Sequence, residues 1–112
     1  MAQFFHHNEF GYCARCPRTC HLHLCFGNVA MAATGAEFQE FREVVSAAWE
    51  QHCLCTRDPE ARCIALRTSA SKLALVFTLI ELTQLRDILE NTALLLEVEA
   101  LLQPNGKPGG RG

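Results

Sequence analysis

Cysteine and histidine crowd the first quarter of the chain, in the run Cys13-Ala14-Arg15-Cys16-Pro17-Arg18-Thr19-Cys20-His21-Leu22-His23-Leu24-Cys25. Thiolate and imidazole are the donors that zinc takes in a tetrahedron, and a Cys-x2-Cys step lets one turn aim two sulfurs at a single ion. Cys13 and Cys16 have that step, and Cys20 with His21 makes up a four-ligand set. The second pair has other sources: His6 or His7 upstream, His23 in the next segment, and Cys53 with Cys55 much further along. The expectation is a structural zinc on Cys13, Cys16, Cys20 and His21, with His7, His23, Cys53 and Cys55 as alternate ligands. The same thiols permit a second chemistry. A Cys-x-x-Cys pair cycles between dithiol and disulfide when one thiol is acidified, so a metal- or thiol-dependent redox enzyme is the competing reading. Cysteines also serve as small buried hydrophobes, and Cys25 and Cys63 are the residues expected to do so. No Ser-His-Asp order, carboxylate pair or glycine-rich phosphate loop is recognisable, so no catalytic residue is assigned.

These residues must be positioned by the elements that follow them, and those elements come twice. Residues 20–49 and 64–93 align without a gap at the offset that carries Glu37 onto Glu81. Leu22 then falls on Leu66, Val29 on Leu73, Phe38 on Leu82, Phe41 on Leu85 and Val45 on Leu89. Thr34-x-x-Glu37 falls on Thr78-x-x-Glu81, and such a pair is a capping box that opens a helix. Upstream of the first box, residues 21–26 alternate with period two, Gly27-Asn28 offers a hairpin turn, and a second short strand follows. One unit therefore reads ββα. Its helix, from Thr34 to about Trp49, carries Phe38, Phe41, Val45, Ala48 and Trp49 on one stripe. The second unit predicts strands over 63–68 and 72–77, a turn at Ser69-Ala70-Ser71 and a helix from Leu79, uninterrupted by Gly or Pro before Pro104.

A chain of 112 residues makes one domain of modest core. Its organisation reads as one domain over 1–103: a Cys/His-rich irregular arm over 1–19, a first ββα unit over 20–50, a connection over 51–62 and a second unit over 63–103. A disordered tail over 104–112 follows. Ten basic and twelve acidic residues give no field that would gather nucleic acid. Arg42 and Arg86, equivalent in the alignment, are expected on solvated helix faces. No apolar run approaches the ~20 residues of a membrane span. The N-terminus has none of the features of a secretory signal, and seven cysteines is an odd number; both disfavour a disulfide framework and suit the cytoplasm.

His7-Asn8-x-x-Gly11-Tyr12, the cysteines after it, the strand ending Phe26-Gly27-Asn28 and the late Leu94-Leu95-Leu96-Glu97-Val98 together resemble a family of small uncharacterised bacterial proteins seen in Bacteroidetes. That family keeps a close cysteine pair before its first strand, which the resemblance places at Cys13 and Cys16 or at Cys16 and Cys20. It implies the fold and a metal rather than a reaction.

The fold expected is α+β, with two ββα repeats joining their hairpins into one four-stranded antiparallel sheet and both helices on one face. Leu22, Leu24, Phe26, Leu66, Leu73, Leu75 and Phe77 line that face. The opposite face carries His21, His23, Cys25, Ala30, Ala32, Ala65, Arg67, Ala74 and Val76, to be covered by another subunit or by the apolar end of the last helix. The function expected is a non-enzymatic binding or regulatory module that meets a protein partner or forms a homodimer.

Overall fold

The structure, a computed structural model, describes residues 3–55, 58–67 and 73–102. Asn8 settles its first pair of elements. The side-chain oxygen of Asn8 accepts from the backbone N–H of Phe10 at 2.8 Å and of Gly11 at 3.2 Å, which reverses the chain. On either side lie β1 (Gln3–His7) and β2 (Gly11–Arg15), paired antiparallel with a bulge between Phe4 and His6. The arm expected to be irregular over 1–19 thus forms a β-hairpin over 3–15, and its first two residues lie outside the described ones. Gly11 is required there, because a Cβ would stand 1.9 Å from the carbonyl oxygen of Cys25 on the neighbouring strand.

β3 (Leu22–Phe26) and β4 (Val29–Ala33) form the hairpin expected from period-two alternation. Gly27 turns it with φ of 57°, a left-handed conformation that costs glycine nothing. Thr34 then caps α1 (Gly35–His52): its hydroxyl accepts from the Glu37 N–H at 3.2 Å, while the Glu37 carboxylate accepts from the Thr34 N–H at 2.9 Å. Thr78 repeats this box for α2 (Leu79–Leu102), at 3.0 and 3.1 Å. Arg62 adds a bidentate grip on Glu81 at 2.6 and 3.0 Å. Between the helices lie β5 (Ile64–Arg67) and β6 (Ala74–Phe77). The turn expected at 69–71, the outer ends of its two strands at Thr68 and Lys72, and the tail over 104–112 lie outside the described residues.

The sheets divide differently from expectation. A four-stranded antiparallel sheet is present, but its order is β1-β2-β3-β4, and β5 and β6 form a two-stranded sheet of their own. The hairpins of the two ββα stretches therefore do not join. On the β3 side the place of a further hairpin is taken by β2, from the arm, which pairs with β3 along its whole length, from Gly11–Phe26 to Arg15–Leu22. Pleating nevertheless sorts the side chains as alternation requires. Leu22, Leu24, Phe26, Ile64, Leu66 and Phe77 are buried, whereas His23, Ala30, Ala32, Ala65, Arg67, Ala74 and Val76 are exposed. Leu73 departs from the expected inner face and is exposed.

One core serves both sheets and both helices. Phe26 stands at its centre, with the rings of Phe10, Phe41 and Phe77 each about 6 Å from it. The two helices pack along each other through polar contacts that the repeat alignment does not suggest. Arg42 holds the Glu90 carboxylate with two hydrogen bonds, at 2.9 and 3.1 Å, and Ser46 donates to it at 2.9 Å. The Arg86 guanidinium lies 4.2 Å over the Trp49 ring, and the Trp49 indole N–H donates to Thr83 at 2.9 Å. Arg42 and Arg86 are thus seam residues, not the solvated ones expected. Among the described residues no helix is long and apolar enough to cross a membrane.

Candidate functional site

Strand pleating distributes the cysteines and histidines over two surfaces. Cys13 points inward from β2 opposite Leu24 and is 0% exposed. Burial raises its thiol pKa, and the Thr92 hydroxyl of α2 lies beside it in a contact too loose to satisfy that hydroxyl. Cys13 is therefore a core residue. His7, Tyr12 and Cys25 form one row across the opposite face of the sheet, with the Cys25 thiol donating to the Tyr12 hydroxyl at 3.3 Å. His23 stands in the neighbouring row, between Ala14 and Ala32, and is exposed. Cys25 is half-buried and Cys63 exposed, so the cysteine that serves as a buried hydrophobe is Cys13 rather than either of these.

Cys16, Cys20 and His21 belong to the turn between β2 and β3. The Cys20 N–H donates to the Cys16 carbonyl at 2.9 Å, and the Cys16 N–H donates to the His21 carbonyl at 2.9 Å. Cys53 caps the end of α1 through its N–H to Trp49 at 2.8 Å, and Cys55 follows in an exposed turn. Among the described residues no three His, Cys, Asp or Glu side chains converge as metal ligands would. The structure does not bring Cys13, Cys16, Cys20 and His21 together: Cys13 lies in the core, and the other three lie in the turn.

A second surface is more continuous, and it lies at the far end of α2. The first half of this helix is anchored to the arm: Asn8 donates to the Gln84 carbonyl at 2.9 Å, and His6 meets Asp87 at 2.9 Å. Further along, Arg15 grips the Glu99 carboxylate at 2.6 and 3.2 Å. Leu82, Leu85, Ile88, Leu89 and Thr92 are buried on this anchored side. Past Thr92 the apolar residues turn outward, and Leu94, Leu95, Val98, Leu101 and Leu102 are all exposed, the last two at 80% and 76%. Their spacing of three and four makes one ridge on the helix. Two grooves run beside it. One lies towards β1, between Phe4, Phe5, Leu95, Val98 and Leu102; the other lies towards α1, between Phe38, Gln39, Ala93, Leu94 and Leu96. Phe4, 64% exposed, extends the apolar surface onto the sheet edge. The excess leucine over residues 94–102 was visible in the sequence, but not the sheet edge that would flank it.

One family model matches the chain, over residues 1–103, and its description is a family of unknown function, DUF6686. The chain belongs to that family. No curated protein and no solved structure matches it. The match runs through every element of the DUF6686 chain described above, the cysteine-bearing turn and the α2 ridge included.

Proposed function

We propose that the protein is a non-enzymatic binding module that works as a pair of identical chains, joined through the exposed end of α2. The observation that carries this reading is the ridge of Leu94, Leu95, Val98, Leu101 and Leu102 standing between two grooves, a mainly apolar one beside β1 and a mixed one beside α1 that also holds Gln39, Arg42, Glu90 and Glu97. A ridge beside a groove is self-complementary: under a twofold axis each ridge enters the groove of the other copy, so a single patch serves as both halves of the interface. With Phe4 included, the exposed apolar side chains and a polar rim of Gln3, Gln39 and Glu97 supply the surface for such an interface, which in a stable complex takes about 800 Å² per partner.

At the β1 edge of the four-stranded sheet, association by sheet extension competes poorly with this arrangement. The outer strand β1 is bulged between Phe4 and His6, and a bulge interrupts the ladder that another strand would have to match. Pairing through α2 leaves the outer sheet face, with Tyr12, His7 and His23, free to meet a further partner. The zinc expected from the sequence has no part in the proposal, since Cys13 lies in the core.

Two single substitutions test it. Val98→Glu puts a charge in the middle of the ridge, and sedimentation equilibrium should report a fall from dimer to monomer with the helical circular dichroism retained. Val76→Glu, on the exposed face of the two-stranded sheet, should leave the dimer intact. Equal behaviour of the two variants in sedimentation would refute the assignment of the interface.

A further inference from the structure

The loop between β2 and β3, Cys16-Pro17-Arg18-Thr19-Cys20, is closed by the backbone bond from the Cys20 N–H to the Cys16 carbonyl, at 2.9 Å. Covalent dimensions on either side of that bond keep the two Cα atoms no more than about 7 Å apart. A disulfide spans about 4.4–6.8 Å between Cα atoms. The backbone thus already holds these cysteines at the reach of a bridge. Cys20 is exposed and keeps φ of 62°, a left-handed conformation rare outside glycine, which the closed turn sustains. Cys16 is half-buried, and the Thr19 hydroxyl and the backbone N–H groups of Thr19 and Arg18 stand near its sulfur. These donors lower its pKa below that of an ordinary thiol. The Thr19 hydroxyl is itself fixed, accepting from the His21 N–H at 3.3 Å. A thiolate is the form that reacts with peroxides.

We propose that Cys16 and Cys20 are a reversible redox pair, in which a hydroperoxide oxidises Cys16 and Cys20 resolves the product to a disulfide within the turn. The Cys16 thiolate attacks one peroxide oxygen and the O–O bond breaks; the departing hydroxide or alkoxide takes a proton and leaves as water or alcohol. Cys16 is then a sulfenic acid. Cys20 attacks the Cys16 sulfur, the S–O bond breaks, and the released hydroxide leaves as water with the Cys20 proton. The two sulfurs lose two electrons and the peroxide gains two. A thiol reductant reverses the bridge by exchange. The bridge would fasten the turn directly after Arg15, the residue that grips Glu99 on α2. This inference stands apart from the pairing of chains, and each can fail without the other.

The full chain, purified without a metal-binding tag and fully reduced, is treated with hydrogen peroxide, capped with an alkylating agent and digested with trypsin. Cleavage after Arg15 and Arg18 puts Cys16 on residues 16–18 and both Cys20 and Cys25 on residues 19–42, and fragmentation of the linked pair between His21 and Leu24 tells which of the two carries the bridge. The expected result is a linked pair of these two peptides as the main disulfide species, lost on reduction. In Cys20→Ser the Cys16 sulfenic acid should instead persist and be trapped by dimedone, while Cys16→Ser should show neither product. Cys16 and Cys20 both still alkylated after peroxide would overturn the proposal. So would a main disulfide from either residue to Cys25, or a retained equivalent of zinc that shields both thiols.

Discussion

Thr92 shows how one hydroxyl can work against the structure that contains it. The residue is wholly buried on the anchored side of α2, and its oxygen has only the loose company of the Cys13 thiol. A buried hydroxyl without a full partner costs about 1–3 kcal/mol of desolvation, whereas a methyl of the same shape costs none of it. Thr92→Val should therefore stabilise the protein by about 1 kcal/mol, read as a higher midpoint in urea. A loss of stability would mean that the Cys13–Thr92 contact is a true hydrogen bond. No pattern in the sequence marks this pair. Cys13 sits in a Cys-x2-Cys step that suggests a ligand, yet its place in β2 decides its role, because residues two apart share a face and Cys13 shares that of Gly11 and Arg15.

At the scale of elements, the seam between α1 and α2 is held by a carboxylate with three donors. Arg42 lowers the pKa of Glu90 first and Ser46 contributes to the same shift, both against the burial that raises it. A carboxyl whose folded pKa is depressed binds fewer protons folded than unfolded, so stability rises with pH across that interval. The contribution is complete above the unfolded value near 4.5 and is lost as pH falls through the lower folded value. Glu90→Gln should cost about 1 kcal/mol at pH 7 and flatten the stability profile below pH ~4.5, in denaturation followed by circular dichroism at several pH values. An unchanged acid profile would remove Glu90 from the account.

The elements that rest on local signals were the legible ones. Both capping boxes, the Gly27 turn and the α1 stripe from Phe38 to Trp49 depend on residues three or four apart, and each is found where it is expected. β1 and β2 lie where the sequence reads as an irregular arm, although Asn8 and Gly11 carry a usable signal: an Asx turn between two runs of strand-forming residues. Sheet membership was not legible at all. Alternation says that one face of a strand is buried, but which strand lies alongside is decided by contacts far apart in sequence. The surface face of the hairpins was therefore foreseen, and their separation into two sheets was not. The same limit applies to the metal set, because spacing in sequence does not fix which side chains the fold brings together.

The whole molecule is elongated, 48 Å by 27 Å by 23 Å, and the 24-residue α2 accounts for about 36 Å of length. A core formed by two sheets, one of them only two strands, supports the first part of α2 and leaves the last turns bare. An isolated chain would thus hold Leu101, Leu102 and Phe4 in water, a hydrophobic cost that a second copy removes. The direct measurement is the mass of the unmodified chain by multi-angle light scattering, across a concentration range from about 1 to 100 μM, which brackets the micromolar affinities at the weak end for interfaces of this size. The account predicts a value that reaches twice the 12.5 kDa chain mass within that range. A mass of 12.5 kDa at every concentration would contradict it.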